Sequence, residues 1–345
     1  ENCMEKKEKQ RKQSAEDFIS GNFQWRISKP ILCTNPDNLP PSPDNPWVAV
    51  KDPSIVHYNG NWHLFCTFRK QKCEGGEPLG CIRIGYTSFA NWKDAQTSKW
   101  HLLTLSQNYN AAPQVFFFSH HKKWYLIYQL EDKSRNISYG PCYSTTDDIT
   151  KPDSWTLPAP LYASKPNHVP AWLDFWIISD QTRMHLFFTS LDGQMWRSET
   201  RVKDFPEGFG RPEVVLRGDI FEASHTYRLK GLDKYLTVVE AQSGRLQGWR
   251  RYYKAYYADR LDGQWKPLAA TKYKPFASLN NSSHTDIHWT DSISHGELIR
   301  DGYDQNLEVD PANLQFLFQG LSEKKQKGQE YRNISWQLGI LEPVQ

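Results

Sequence analysis

Five polar residues open five apolar runs of this 345-residue sequence. They are Asp52 in "VKDPSIVHYNGNWHLFCTF", Gln114 in "APQVFFFSHHKKWYLIYQL", Asp174 in "LDFWIISDQTRMHLFFTS", Glu222 in "FEASHTYRLKGLDKYLTVVEA" and Glu297 in "SHGELIRDGYDQNLEVDPANLQFLFQG". Their spacings are 62, 60, 48 and 75 residues. A charged side chain at the mouth of a run that reads as core needs a partner or a task. Asp52, Asp174 and Glu222 share a chemistry that becomes useful if they converge. Several carboxylic acids in one pocket cannot all ionise freely, so one is pushed towards its protonated form while another stays charged. The pair then supplies a general acid and a general base, which is what cleavage of a glycosidic bond requires. Lys51, next to Asp52, would hold that residue as a carboxylate, and Asp174 would help Glu222 keep its proton.

The elements that must position these residues are strands. Helical periodicity is almost absent, and short alternating apolar runs separated by Asn-Gly, Asp-Gly and Lys-Lys turns dominate. Each segment carries a first strand, a turn and a second strand rich in aromatics. A third strand such as "IRIGYTSF", "CYSTTDD", "MWRSET" or "YYKAYYAD" follows, and then a less regular edge. A four-stranded unit repeated five times at this period implies an all-β chain folded as a five-bladed β-propeller. The innermost strands then run along the axis, and their opening residues gather at one end of it. "FQWRIS" and "ISWQLGIL" are expected to share one blade and close the ring. Residues 1–20, with the mixed-charge run "EKKEKQRK", read as a charged leader or tail, and residues 21–345 as the propeller.

Composition narrows the partners. Forty-two basic and 39 acidic residues leave a net charge of +3, too balanced for a nucleic-acid footprint. No apolar run approaches the roughly 18 residues of a membrane helix. Fourteen Trp and 17 Tyr argue for a folded chain with flat amphipathic surfaces of the kind that meet sugars, although half or more of them should be core. The six cysteines show no zinc spacing, and Cys66, Cys73 and Cys81 lie close enough for one loop-stapling disulfide, with the pairing open. The sequons at Asn136, Asn280, Asn281 and Asn333 matter only in a glycosylating source.

His295 in "SHGEL" points towards the axis in the last unit, where a lone histidine is more often a hydrogen-bonded core residue than a ligand. "HH" at 120–121 and "HTDIH" at 284–288 read as surface polar clusters. Arg250 and Arg251, followed by Tyr252 and Tyr253, read as a blade strand with one solvated edge rather than an anion site.

At these motifs the chain resembles glycoside hydrolase family 62, the inverting α-L-arabinofuranosidases that trim arabinose from arabinoxylan. The resemblance runs from Phe23 to Leu341 on "VAVKDPSIVHYNGNWH", "AAPQVFFF", "KWYLIYQ", "YSTTDDITKPDSW", "WLDFWIISD", "LFFTS", "FEASHTYRLKG", "DKYLTVVEAQ", "SHGELIRDGYDQ" and "NLQFLFQG", in that order. It implies a five-bladed propeller with Asp52 as general base, Glu222 as general acid, and Asp174 orienting substrate and tuning its partner. Lys51, Gln114, Trp172 and Tyr303 would hold the furanose, and His295 would lie near an axial calcium whose other ligands are mostly water. It further implies a secreted or periplasmic monomer acting on a polysaccharide, the targeting segment already removed. "SGRLQGW" (243–249) interrupts the family's "EAQGGRRYY", the loop "FRKQKCEGGEPLGC" (68–81) is unusual, and Ser179 replaces a common cysteine. Both loops are expected to reshape the groove for the polymer. Two alternatives stand beside this reading: a related furanosidase acting on arabinan or another furanoside, and a sugar-binding propeller without catalysis.

Overall fold

A computed structural model describes residues 2–243 and 250–344. Five sheets are arranged as a five-bladed β-propeller, as the repeat predicts. Blade I is built from Trp47–Tyr58, Asn61–Lys70, Ile82–Phe89 and His101–Leu102. Blade II comprises Asn110–Phe118, Lys123–Asp132, Ile137–Thr146 and Ala159–Pro160. Blade III comprises Leu173–Ser179, Arg183–Thr189, Gln194–Arg201 and Glu213–Arg217. Blade IV runs from Glu222–Leu229 through Lys234–Ser243 and Arg250–Ala258 to Lys266–Ala269, with Glu308–Val309 added parallel to its inner strand. Each inner strand is packed between neighbouring blades on both faces. Its burial is therefore nearly continuous rather than alternating, as in Leu173–Ser179, where six of seven residues are buried.

Blade V closes the ring. Ser294–Leu298, Phe316–Gly320 and Gln337–Pro343 come from the C-terminal part, and Trp25–Ile27 supplies the fourth strand, with Ser282–His284 parallel beyond it. Trp25 pairs with Pro343 and Ile27 with Leu341 in antiparallel register, which is the closure expected from "FQWRIS" and "ISWQLGIL". The Trp25 indole is buried and donates to the Phe276 carbonyl at 2.6 Å. Before this strand, Cys3–Ile19 form a helix that the strand-dominated pattern did not suggest. Glu, Lys and Gln favour a helix, and the Asn2–Glu5 capping box starts it. Its last turn buries Phe18 against Phe23.

Two further details bear on the site. The disulfide left open among three cysteines joins Cys73 to Cys81, while Cys66 is buried and free. Residues 244–249, most of the insertion "SGRLQGW", lie outside the described residues.

Candidate active site

Every inner strand carries a β-bulge near its start. The register shifts between Lys51 and Ser54, Ala111 and Gln114, Leu173 and Trp176, Glu222 and His225, and Ser294 and Glu297. The residue that opens the bulge has a left-handed backbone in four blades: Asp52 (φ 53°), Ala112 (φ 53°), Asp174 (φ 55°) and Ala223 (φ 52°). A bulge of this kind turns a side chain out of the alternation of the strand. The structurally equivalent set is therefore Asp52, Ala112, Asp174, Ala223 and His295. The five opening residues of the sequence are not in one phase. Glu222 stands one position before the bulge, and Gln114 and Glu297 stand two positions into or past it.

That offset decides which residues meet. Lys51, Asp52, Trp172, Asp174, Glu222 and His295 line one cavity of about 710 Å³, to which all five blades contribute. Gln114 is elsewhere: fully buried, it donates to the Ile177 carbonyl at 2.7 Å and accepts from the Ile177 N–H at 2.8 Å, tying blade II to blade III. Glu297 forms a buried ion pair with Arg300 at 2.5 Å, and Arg300 also donates to the carbonyls of Val115 and Ile55. Both residues are spent on holding the axis. Tyr303 packs its ring on Tyr58, Phe117 and Trp124, at the far ends of the inner strands from Asp52. The structure thus places neither Gln114 nor Tyr303 against the cavity.

His295 sits between two of the acids. Its Nδ1 lies 3.3 Å from Asp52 Oδ1 and 3.8 Å from Asp174 Oδ1, and all three residues are about 5% exposed. Burial pulls its imidazole down, but Asp52, Asp174 and Glu240 outweigh burial and raise it above the ordinary value. Asp52 is fixed through its backbone, whose N–H donates to Gln319 Oε1 at 2.7 Å. The Asp174 N–H donates to Gln129 Oε1 at 3.0 Å, and its Oδ2 accepts from the N–H of Ala223, next to Glu222, at 3.1 Å. Burial pushes the Asp174 carboxyl up to about 6, with Asp52 and Glu240 adding to the push and His295 opposing it.

Glu222 is pushed up to about 7. Burial is the main cause and Glu240 the next, while Arg251 opposes both. Arg251 Nη1 bridges Glu222 Oε1 at 2.8 Å and Glu240 Oε1 at 3.0 Å, and its guanidinium lies 4.2 Å from the centre of the Phe221 ring. The reading of Arg250 and Arg251 as one solvated strand edge therefore holds for Arg250 alone, which is exposed and paired with Glu323. Glu240 is fully buried and completes its bonds with the Ser294 hydroxyl at 2.7 Å and the His295 N–H at 3.0 Å. An acid inside "YLTVVEAQ" is as anomalous as Asp52, and the same argument from burial would have found it.

Lys51 has a different nearest partner from the one expected. Its Nζ donates to the Tyr331 hydroxyl at 2.7 Å, and it feels Asp52 as a charge, so the cation-capable group in ion-pair contact with Asp52 is His295. Tyr331 lies in a turn outside the repeats and no sequence signal marked it. Trp172 donates its indole N–H to the Ser138 carbonyl at 3.0 Å and forms one wall. The side chains around His295 do not make a calcium cage. Among the described residues no group of three His, Cys, Asp or Glu side chains could hold a metal ion, and the Nδ1 of His295 already faces two carboxylates.

A cavity with two acids held towards their protonated forms beside an imidazole-paired aspartate suits acid–base cleavage of a polar, uncharged substrate. Comparison with known proteins agrees. Residues 34–342 match Glycosyl hydrolase family 62. α-L-Arabinofuranosidase C of Cellvibrio japonicus (strain Ueda107) is 40% identical over 332 residues, 94% of this chain and 47% of that protein, so the chain spans about half the length of this curated relative. The catalytic domain of a Coprinopsis cinerea family 62 α-L-arabinofuranosidase superposes with a TM-score of 0.82 at 34% identity, covering 94% of this chain and 98% of that one. A family 62 hydrolase solved with xylotriose gives a TM-score of 0.82 at 32% identity, covering 95% and 99%. With most of its length matched to the family and its fold shared with solved members, the chain belongs to glycosyl hydrolase family 62.

Proposed function

We propose that this protein is an exo-acting α-L-arabinofuranosidase that removes arabinofuranosyl side chains from arabinoxylan by a single displacement with inversion. The observation that carries the proposal is the meeting of Asp52, Asp174 and Glu222 in one cavity, with Glu222 raised to about 7. Near neutral pH a large share of Glu222 is protonated and able to donate to the leaving oxygen. Asp52 takes a proton from the attacking water as the C–O bond breaks, with the His295 Nδ1 lying 3.3 Å from its Oδ1. Asp174 holds the Ala223 N–H and so fixes the strand that carries Glu222. The names of the two arabinofuranosidase relatives support the glycone, and the xylotriose bound to a third relative supports a xylan backbone as acceptor.

Calcium has no cage of side chains here. An ion at His295 would take most of its roughly six to eight oxygen ligands from water, and no step runs through it. All five blades of one chain build the cavity, which suits a monomer. A polymeric substrate suits a secreted or periplasmic enzyme, and among the described residues no helix is long and apolar enough to cross a membrane. Asp52→Asn and Glu222→Gln should each lower turnover on arabinoxylan by about 10²–10⁴-fold with an unchanged circular dichroism spectrum. Near-normal turnover in either variant would overturn the assignment. Arabinose released from arabinan but not from arabinoxylan would move the substrate to the other furanoside class.

A further inference from the structure

Behind the cavity lies a further carboxyl that the cleavage steps do not use. Glu240 sits on the second strand of blade IV, directly opposite Glu222 on the first. It is fully buried and is not one of the residues that line the cavity. Like charges facing each other across two strands cost stability, and burial adds to the cost, so the pairing needs a task. The bonds of the Glu240 side chain run in two directions. On one side its Oε1 accepts from Arg251 Nη1 at 3.0 Å, and the same Nη1 donates to Glu222 Oε1 at 2.8 Å. On the other, Oε1 accepts from the Ser294 hydroxyl at 2.7 Å and Oε2 from the His295 N–H at 3.0 Å. The Ser294 oxygen in turn accepts from Gln319 Nε2 at 3.3 Å, and Gln319 Oε1 receives the Asp52 N–H at 2.7 Å. One side chain of blade IV is thus linked to the acid through Arg251 and to the base through blade V.

We infer that Glu240 is a positioning residue for the reaction, a buried hub that holds Glu222 through Arg251 and Asp52 through Ser294 and Gln319. This rests on the roles given above to Glu222 and Asp52 and extends them beneath the cavity floor. Tying the proton donor and the proton acceptor to one point lets the fold, rather than the substrate, set the distance between them. The charge of the hub also acts on the acid. Burial does most to raise the Glu222 carboxyl, Glu240 comes next and Asp174 adds to it, while Arg251 and Lys51 oppose them. The other titratable groups that feel Glu240 are Asp174, His295 and Tyr253.

The test is Glu240→Gln, read first without turnover. Glutamate labelled with carbon-13 at its side-chain carboxyl reports the titration of Glu222 by NMR, assigned by the signal lost in Glu222→Gln. In Glu240→Gln the Glu222 midpoint should fall from about 7 by about one pH unit. The alkaline limb of kcat/KM on an arabinose-branched xylo-oligosaccharide should fall with it. A residue that only fills space would lower the rate and leave both in place. Glu240→Asp keeps the charge but draws it back from Arg251. It should move the midpoint the same way by less, and it replaces Glu240→Gln if that variant does not fold. Ser294→Ala cuts the arm towards Gln319 and should lower kcat about fivefold. An unmoved Glu222 midpoint in the folded Glu240 variant, or a wild-type kcat in Ser294→Ala, would overturn the inference. A wild type that cleaves nothing while its Glu222 midpoint depends on Glu240 would refute the activity and leave the link to Glu222 standing.

Discussion

At the scale of single residues, Glu222 is balanced between burial and Glu240, which raise it, and Arg251, which lowers it. Replacing Arg251 by Gln removes the charge and keeps a hydrogen-bonding side chain. Glu222 should then hold its proton to higher pH, and the alkaline limb of the kcat/KM profile should move up by about one pH unit. An unmoved limb would show that another group sets it. Stability carries the same signature. Asp174 and Glu222 titrate higher in the folded chain than free carboxyls do, so the folded state holds their protons more firmly. The stability this lends is complete below the ordinary carboxylate range and is lost as pH rises through about 6 and about 7. Asp174→Asn abolishes one of these titrations and keeps an oxygen for the Ala223 N–H. Its Tm relative to wild type should therefore rise between about pH 4 and pH 7.5, and a constant difference would contradict this origin.

At the scale of the element, the bulge is the device that makes the site, and it is also why the site was only partly legible. The period of about sixty residues gave away five blades, and burial gave away Asp52, Asp174 and Glu222. It could not give the phase, because a bulge adds a residue and turns its side chain without changing the apolar pattern. Gln114 and Glu297 looked equivalent to the acids for that reason, yet they lock blades and axis together. Arg251 was hidden by its neighbour Arg250, and Tyr331 by lying in an irregular turn. The bulge also makes a stability prediction. Ala112 takes the left-handed conformation with its N–H bonded to Thr67 Oγ1 at 2.9 Å. Ala112→Val should cost about 1–3 kcal/mol, because a β-branched residue resists that conformation. Ala112→Gly should stay within about 1 kcal/mol of wild type, since glycine adopts it freely. Chemical denaturation of the two variants compares them, and equal losses would mean that packing rather than backbone conformation governs the position.

At the scale of the whole molecule, the ring is closed by pairing strands from the two ends of the propeller, a feature readable from two short apolar strands with no partner of their own. The helix before the closure was not readable, because its charged face mimics a solvated tail and only Phe18 betrays the docked end. Trp25 concentrates the closure, packing edge-on to Phe276 at 5.4 Å between centroids. Trp25→Ala should cost about 3–5 kcal/mol and lower Tm by several degrees, and a Tm within a degree of wild type would show the closure to be dispensable. The closed ring is what brings acids from three blades and a histidine from a fourth to one cavity at one end of the axis. The most direct test of that arrangement is proton NMR of the sugar as it is first released from arabinoxylan. Single displacement under Asp52 and Glu222 predicts β-L-arabinofuranose as the initial product, before mutarotation mixes the anomers. Initial appearance of the α anomer would mean a covalent intermediate, and would contradict the roles given to both carboxyls.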